Sequence, residues 1–313
     1  MLVPLHPDAE AYLRVAAAEP PVYTLTPAEA RAFRAARVAA TPRNPEPVGR
    51  VDTLTIPGPN GPIGLRVYRP DASGPHPVMV YFHGGGFVVG NLDQVDSVAR
   101  MMTNAVPAVV VSVDYHLAPE HPFPEPVEDA YAALAWAGAE ATRFGGDPDR
   151  LVVAGDSAGG TLAIVSAYAA ADRGGPPVRA AVLVYPVCQY RFDTPSYQSF
   201  AEGYGLTRAA MQWYWKQYLR RPEDGRNPYA APLERENLVG FPPALVILAE
   251  YDPLRDEGEQ FAARLRQSGV PVSVWRAPGM VHGFFSQEWA PESRREAVRR
   301  VAAHLQDVLG RTR

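Results

Sequence analysis

Apolar residues in this chain fall into short unbroken runs instead of alternating with polar ones. Such runs occupy 78–82, 108–113, 151–154, 181–185, 244–249 and 272–275, and they are rich in Val, Leu and Ala. Strands buried on both faces of a parallel sheet read this way, because neither face needs polar side chains. Two further strands are predicted at 51–56 and 63–68. They flank the turn cluster Pro57-Gly-Pro-Asn-Gly-Pro62, which suits a hairpin-like pair. Helical stretches at 93–104, 127–143, 158–172, 255–268 and 293–309 separate the later strands. This alternation predicts an α/β fold with a mostly parallel, eight-stranded central sheet flanked by helices.

The alternation is interrupted twice. Residues 1–45 carry an alanine-rich helix that starts at Pro27, with Thr26 placed to cap it. A proline-rich connector follows at 41–47. Between 185 and 244 lies a stretch too long for a plain strand-to-helix connection. It holds Tyr190, Tyr197, Phe200, Tyr204, Trp213, Tyr214, Trp215 and Tyr218. Residues 1–45 and 187–240 are therefore expected to form a helical cap, over a catalytic domain made of 46–186 and 241–313.

Composition narrows the function classes. The formal net charge of −4 over 313 residues provides no clustered basic face for nucleic acid. Cys188 is the only cysteine, so no intrachain disulfide can form, and its apolar context predicts a buried thiol. Residues 1–12 lack the basic and apolar regions of a signal peptide, and no apolar stretch is long enough to span a bilayer. A soluble cytoplasmic protein, monomer or homodimer, is expected. Lys216 is the only lysine and there are 33 prolines, a bias that either a GC-rich genome or selection for rigid loops and ion pairs would produce. No metal-ligand spacing, Walker sequence or strand-linked dinucleotide motif is present, so no metal or cofactor is expected.

Three motifs carry chemistry. Gly155-Asp-Ser-Ala-Gly159 follows the strand at 151–154 and opens the helix at 158, the context of a nucleophile elbow with Ser157 at its apex. His83-Gly-Gly-Gly-Phe87 follows the strand at 78–82. Its bare backbone amides at Gly85 and Gly86, with that of Ala158, suit an oxyanion hole. A serine hydroxyl needs a base, and on this type of fold the acid and base follow the nucleophile in the order Ser, Asp, His. Asp252 lies just after the strand at 244–249, and His282 just after that at 272–275. Glu250 and Asp256 compete for the acid role. Among the seven histidines, His116 and His121 lie upstream of the serine, and His83 is expected to brace the glycine loop.

Together these segments resemble the hormone-sensitive lipase family of bacterial esterases, the subgroup with a Gly-Asp-Ser-Ala-Gly elbow. The resemblance rests on His83-Gly-Gly-Gly-Phe87, Asp114-Tyr-His-Leu-Ala-Pro-Glu120, Gly155-Asp-Ser-Ala-Gly-Gly160, Asp252-Pro-Leu-Arg-Asp256 and His282-Gly-Phe284. It implies an α/β-hydrolase fold with a helical cap, and a carboxylesterase for short- to medium-chain esters. The family usually has arginine where His116 stands, so a rearranged hydrogen bond is expected there. Phe87, Trp213 and Trp215 are candidates for the acyl pocket; the aromatic cluster at 213–218 would serve equally as the hydrophobic core of the cap. An amidase or peptidase would use the same triad. Certain plant hormone receptors resemble the family but lack the histidine that His282 supplies here.

Overall fold

Residues 2–41 and 44–310 are described by a computed structural model, so Pro42 and Arg43 of the 41–47 connector lie outside the described residues. The strands are β1 (Arg50–Ile56), β2 (Ile63–Arg69), β3 (His76–Phe82), β4 (Val109–Asp114), β5 (Gly146–Asp156), β6 (Val178–Val184), β7 (Ala244–Tyr251) and β8 (Val272–Val281). They form one sheet in the order β1-β2-β4-β3-β5-β6-β7-β8. The turn cluster does close a hairpin, with Val51 opposite Tyr68 and Ile56 opposite Ile63. β2 is antiparallel to both of its neighbours, and every pairing from β4 to β8 is parallel.

Helices α1 (Pro7–Ala16), α2 (Pro27–Ala40), α3 (Asp96–Ala105), α4 (Glu125–Glu140), α5 (Ala158–Arg173), α6 (Pro195–Ser199), α7 (Arg208–Tyr218), α8 (Arg255–Gln267) and α9 (Pro291–Gly310) complete the fold. The unbroken apolar runs have the expected cause: the sheet is buried on both faces. Val78, Val80, Val111, Val153 and Leu183 pack on one face with residues of α4, α5 and α8. Met79, Tyr81, Val110, Val152 and Val182 pack on the other with residues of α3 and α9.

β5 and β8 run well past their predicted spans. The extensions carry the chain to Asp156 and Val281, one residue short of Ser157 and His282. α5 is buried at every position from Ala158 to Ala170, which explains why its sequence is apolar all round. α1 was not predicted. Its cap is the ring of His6, which accepts from the Asp8 amide at 3.2 Å, and histidine is not an ordinary helix-start signal. α2 starts as read, with Thr26 and Glu29 capping one another.

Candidate active site

The turn between β5 and α5 is sharp enough to force Ser157 to φ 56° and ψ −122°, a conformation that costs a non-glycine residue roughly 1–3 kcal/mol. The surrounding structure imposes it. The Ser157 amide donates to Val184 O at 2.8 Å, and its carbonyl accepts from the Thr161 amide at 3.2 Å. The flanking glycines permit the close approach. A Cβ on Gly159 would lie 2.0 Å from Phe82 O, and one on Gly155 would lie 2.2 Å from Gly159 O.

Ser157 Oγ lies 3.0 Å from His282 Nε2, and His282 Nδ1 lies 2.7 Å from Asp252 Oδ2. Asp252 is fully buried, and its other oxygen accepts from the Leu254 amide at 2.9 Å. The His282 ring packs against Tyr185, centroid to centroid 4.4 Å. Such a line of contacts fixes Nδ1 as the protonated nitrogen and leaves Nε2 free to take the serine proton.

The competing carboxylates are engaged elsewhere. Asp256 Oδ2 accepts from the Ser196 amide at 2.8 Å, and Glu250 accepts from the Gly279 amide at 2.8 Å. Cys188 is fully buried behind the elbow, where burial pushes its thiol up, away from thiolate chemistry.

In the glycine loop, the Gly84 amide donates to Asp156 Oδ1 at 3.0 Å, so it is spent on structure. The same oxygen accepts from the Tyr81 hydroxyl at 2.8 Å, tying the elbow to β3. Gly85 and Gly86 adopt φ 132° and φ 60°, and no acceptor among the described residues pairs with their amides. His83 braces this loop: its Nδ1 bonds Gly84 O at 2.8 Å and its ring stacks on Tyr115 at 4.4 Å. Burial lowers the pKa of His83, which favours the neutral ring that donates to a carbonyl. His116 bonds the buried carboxylate of Asp129 at 2.6 Å and tilts against His121.

Above Ser157 lies a cavity of about 360 Å³. Its wall includes Gly85, Gly86, Phe33, Leu206, Met211 and Tyr214, which come from the glycine loop, α2 and the 187–240 insert. The expected acyl-pocket residues are not on this wall, and this corrects the sequence reading. Phe87 stacks on Tyr218 at 3.8 Å and Trp215 packs near both, all within the core. Trp213 is half-buried and meets Tyr214 edge-on at 5.1 Å. Helical phase is the reason. Trp215 and Tyr218 share the buried face of α7, and of its four aromatics only Tyr214 joins Met211 on the cavity wall. Sequence reading also missed Asp156 and Tyr81 as the struts of the elbow; a buried Asp inside the elbow motif was the available signal.

Among the described residues there is no group of His, Cys, Asp or Glu placed to hold a metal ion and no helix long and apolar enough to cross a membrane. A family model described as alpha/beta hydrolase fold matches residues 79–286. The chain is 43% identical over 279 residues to the esterase LipI of Mycobacterium tuberculosis, covering 87% of each. It is 39% identical over 312 residues to the carboxylesterase NlhH of the same organism, covering 97% of each. A hyperthermophilic esterase from the archaeon Pyrobaculum calidifontis superposes with a TM-score of 0.90 at 41% identity, over 98% of this chain and 99% of that one. A thermostable esterase from Pseudomonas putida superposes with a TM-score of 0.93 at 35% identity, over 98% of each. The chain belongs to the hormone-sensitive lipase family of esterases on the α/β-hydrolase fold.

Proposed function

We propose that the protein is a serine carboxylesterase acting on short- to medium-chain carboxylic esters. The observation that carries this reading is the unbroken line from Ser157 Oγ through His282 to buried Asp252, at 3.0 and 2.7 Å. In the first step Ser157 Oγ attacks the ester carbonyl while His282 Nε2 takes its proton. The amides of Gly85, Gly86 and Ala158 receive the oxyanion, a role worth about 3–4 kcal/mol per donor. His282 then gives its proton to the departing alcohol, leaving an acyl-enzyme on Ser157. Water, deprotonated by His282, attacks the acyl carbon and releases the acid. Asp252 holds the tautomer of His282 and stabilises its protonated form.

The relatives support an ester substrate, and the pocket bears on its size. A cavity of about 360 Å³ is at the small end of ligand sites, in keeping with a short or medium acyl chain beside Ser157. We assign residues 1–45 and 187–240 to the cap and 46–186 with 241–313 to the catalytic domain. Support comes from the cavity wall, where Phe33 of α2 and Tyr214 of α7 face the sheet-borne Ser157.

Hydrolysis of p-nitrophenyl esters from acetate to palmitate, with Ser157→Ala as control, tests the reading. Activity should peak at short or medium chains, and the variant should fall at least about 10,000-fold while staying folded. Near-wild-type turnover by the folded variant would sink the assignment.

A further inference from the structure

The charged side chains on the cavity wall are not all neutralised. Glu19 lies there and accepts from Arg37 Nη1 at 2.8 Å, so those two charges cancel. Asp156 is buried and turned toward the Tyr81 hydroxyl and the Gly84 amide. Arg34 is left over. Its Nε donates to the neutral side chain of Gln94 at 3.1 Å, and the ion pairs of the described residues give its guanidinium no carboxylate.

Its neighbours on α2 are satisfied by contrast. One turn earlier, Arg31 grips Glu120 with both terminal nitrogens, at 2.9 and 2.5 Å, and one turn later Arg37 holds Glu19. In the adjoining cavity of about 640 Å³, which also touches Arg34, two of the carboxylates are held by other arginines. Asp93 pairs with Arg66, and Asp96 with Arg66 and Arg100. Arg34 and Ser157 line the same cavity. Tyr214 lies against the oxyanion loop, since a Cβ on Gly86 would lie 2.2 Å from its ring, and the Arg34 charge acts on Tyr214 and on His83. A half-buried guanidinium with donors that meet no carboxylate recognises one carried by a ligand, with its fork matched to two oxygens.

We propose that Arg34 is a specificity-determining residue that binds a carboxylate carried by the ester substrate, so that this esterase favours anionic esters over neutral ones of the same shape. The inference rests on the carboxylesterase reading above. The carboxylate can sit on the acyl side or on the alcohol side of the ester, and the two are separable by experiment.

Measure kcat/KM for charged and neutral partners in two series. On the acyl side, p-nitrophenyl hydrogen glutarate is compared with p-nitrophenyl hexanoate. On the alcohol side, acetoxypropionate is compared with isopentyl acetate. Each charged-to-neutral ratio is taken in wild type, Arg34→Gln and Arg34→Lys, so that any general damage to the enzyme cancels. One ratio should fall about tenfold or more in Arg34→Gln and be largely kept in Arg34→Lys, and the series in which it falls identifies the side. In wild type that ratio should also shrink as salt screens the pair. Both ratios unchanged in Arg34→Gln, or charged esters refused by a wild type that turns over neutral ones, would overturn the proposal. Failure of wild type on every ester of both series, charged and neutral alike, would instead overturn the esterase reading itself.

Discussion

At Gly85 a side chain has nowhere to go. An added Cβ would lie 1.9 Å from the Val89 carbonyl oxygen, which is backbone and cannot rotate away. At Gly86 the obstacle is the Tyr214 ring, which can move. The two glycines of the loop therefore differ in tolerance although they serve the same oxyanion. Gly85→Ala keeps its N–H but pushes it off the oxyanion, so it should lower kcat by up to about 100- to 1,000-fold, the effect of removing a donor outright, and should also lower the melting temperature. Gly86→Ala should cost less stability. Steady-state kinetics and thermal melts of both variants check this; equal stability losses would show that the Val89 carbonyl does not set the limit.

Among the elements, β8 has the most exacting task, because it ends at Val281 and His282 follows directly. The chain before α1 helps to hold that end. Glu250 Oε1 accepts from the Val3 amide at 3.3 Å and Oε2 from the Gly279 amide at 2.8 Å, while the His6 amide donates to Gly279 O at 3.0 Å. The Tyr251 hydroxyl closes the contact by donating to Val3 O at 2.5 Å. Glu250→Gln places an amide group against one of those N–H donors. It should reduce kcat by about tenfold, in keeping with loss of a hydrogen bond to a charged group at about 1.5–3 kcal/mol, with KM little changed. A KM effect without a kcat effect would mean that this contact shapes the cavity and does not place His282. The elements themselves were largely legible in the sequence. Ser157, Asp252 and His282 could be found because each directly follows a strand and their order matches the fold's chemistry. The phase of α7 could not, since a run of Trp213, Tyr214 and Trp215 reads as aromatic in any rotation. Which ring faces the cavity is decided by packing against Phe87. α1 escaped for want of a Ser, Thr, Asp or Asn cap.

For the whole molecule, the group that couples folding to pH is Glu257, buried without exposure beneath the elbow and accepting from the Cys188 amide at 2.8 Å. Burial raises its pKa well above the ordinary carboxyl value. The folded chain thus holds this proton to higher pH than the unfolded chain. Its contribution to stability is complete below about pH 4.5 and is lost as pH rises toward the folded pKa. Glu257→Gln cannot titrate, so its melting temperature relative to wild type should rise between pH 5 and pH 8. A difference constant over that range would refute the argument. The complete burial of α5 has another consequence, one for how such a protein changes over generations. The helix behind the nucleophile is hemmed in on all sides from Ala158 to Ala170, so nearly every replacement there is paid for by the whole fold. Arg34, Phe33 and Tyr214 stand on helices with a solvent side, and their replacement is felt mainly by what enters the cavity. Random libraries should recover functional variants far more often from 27–40 and 207–218 than from 158–170. Descendants of this chain can acquire new substrates while inheriting the reaction intact.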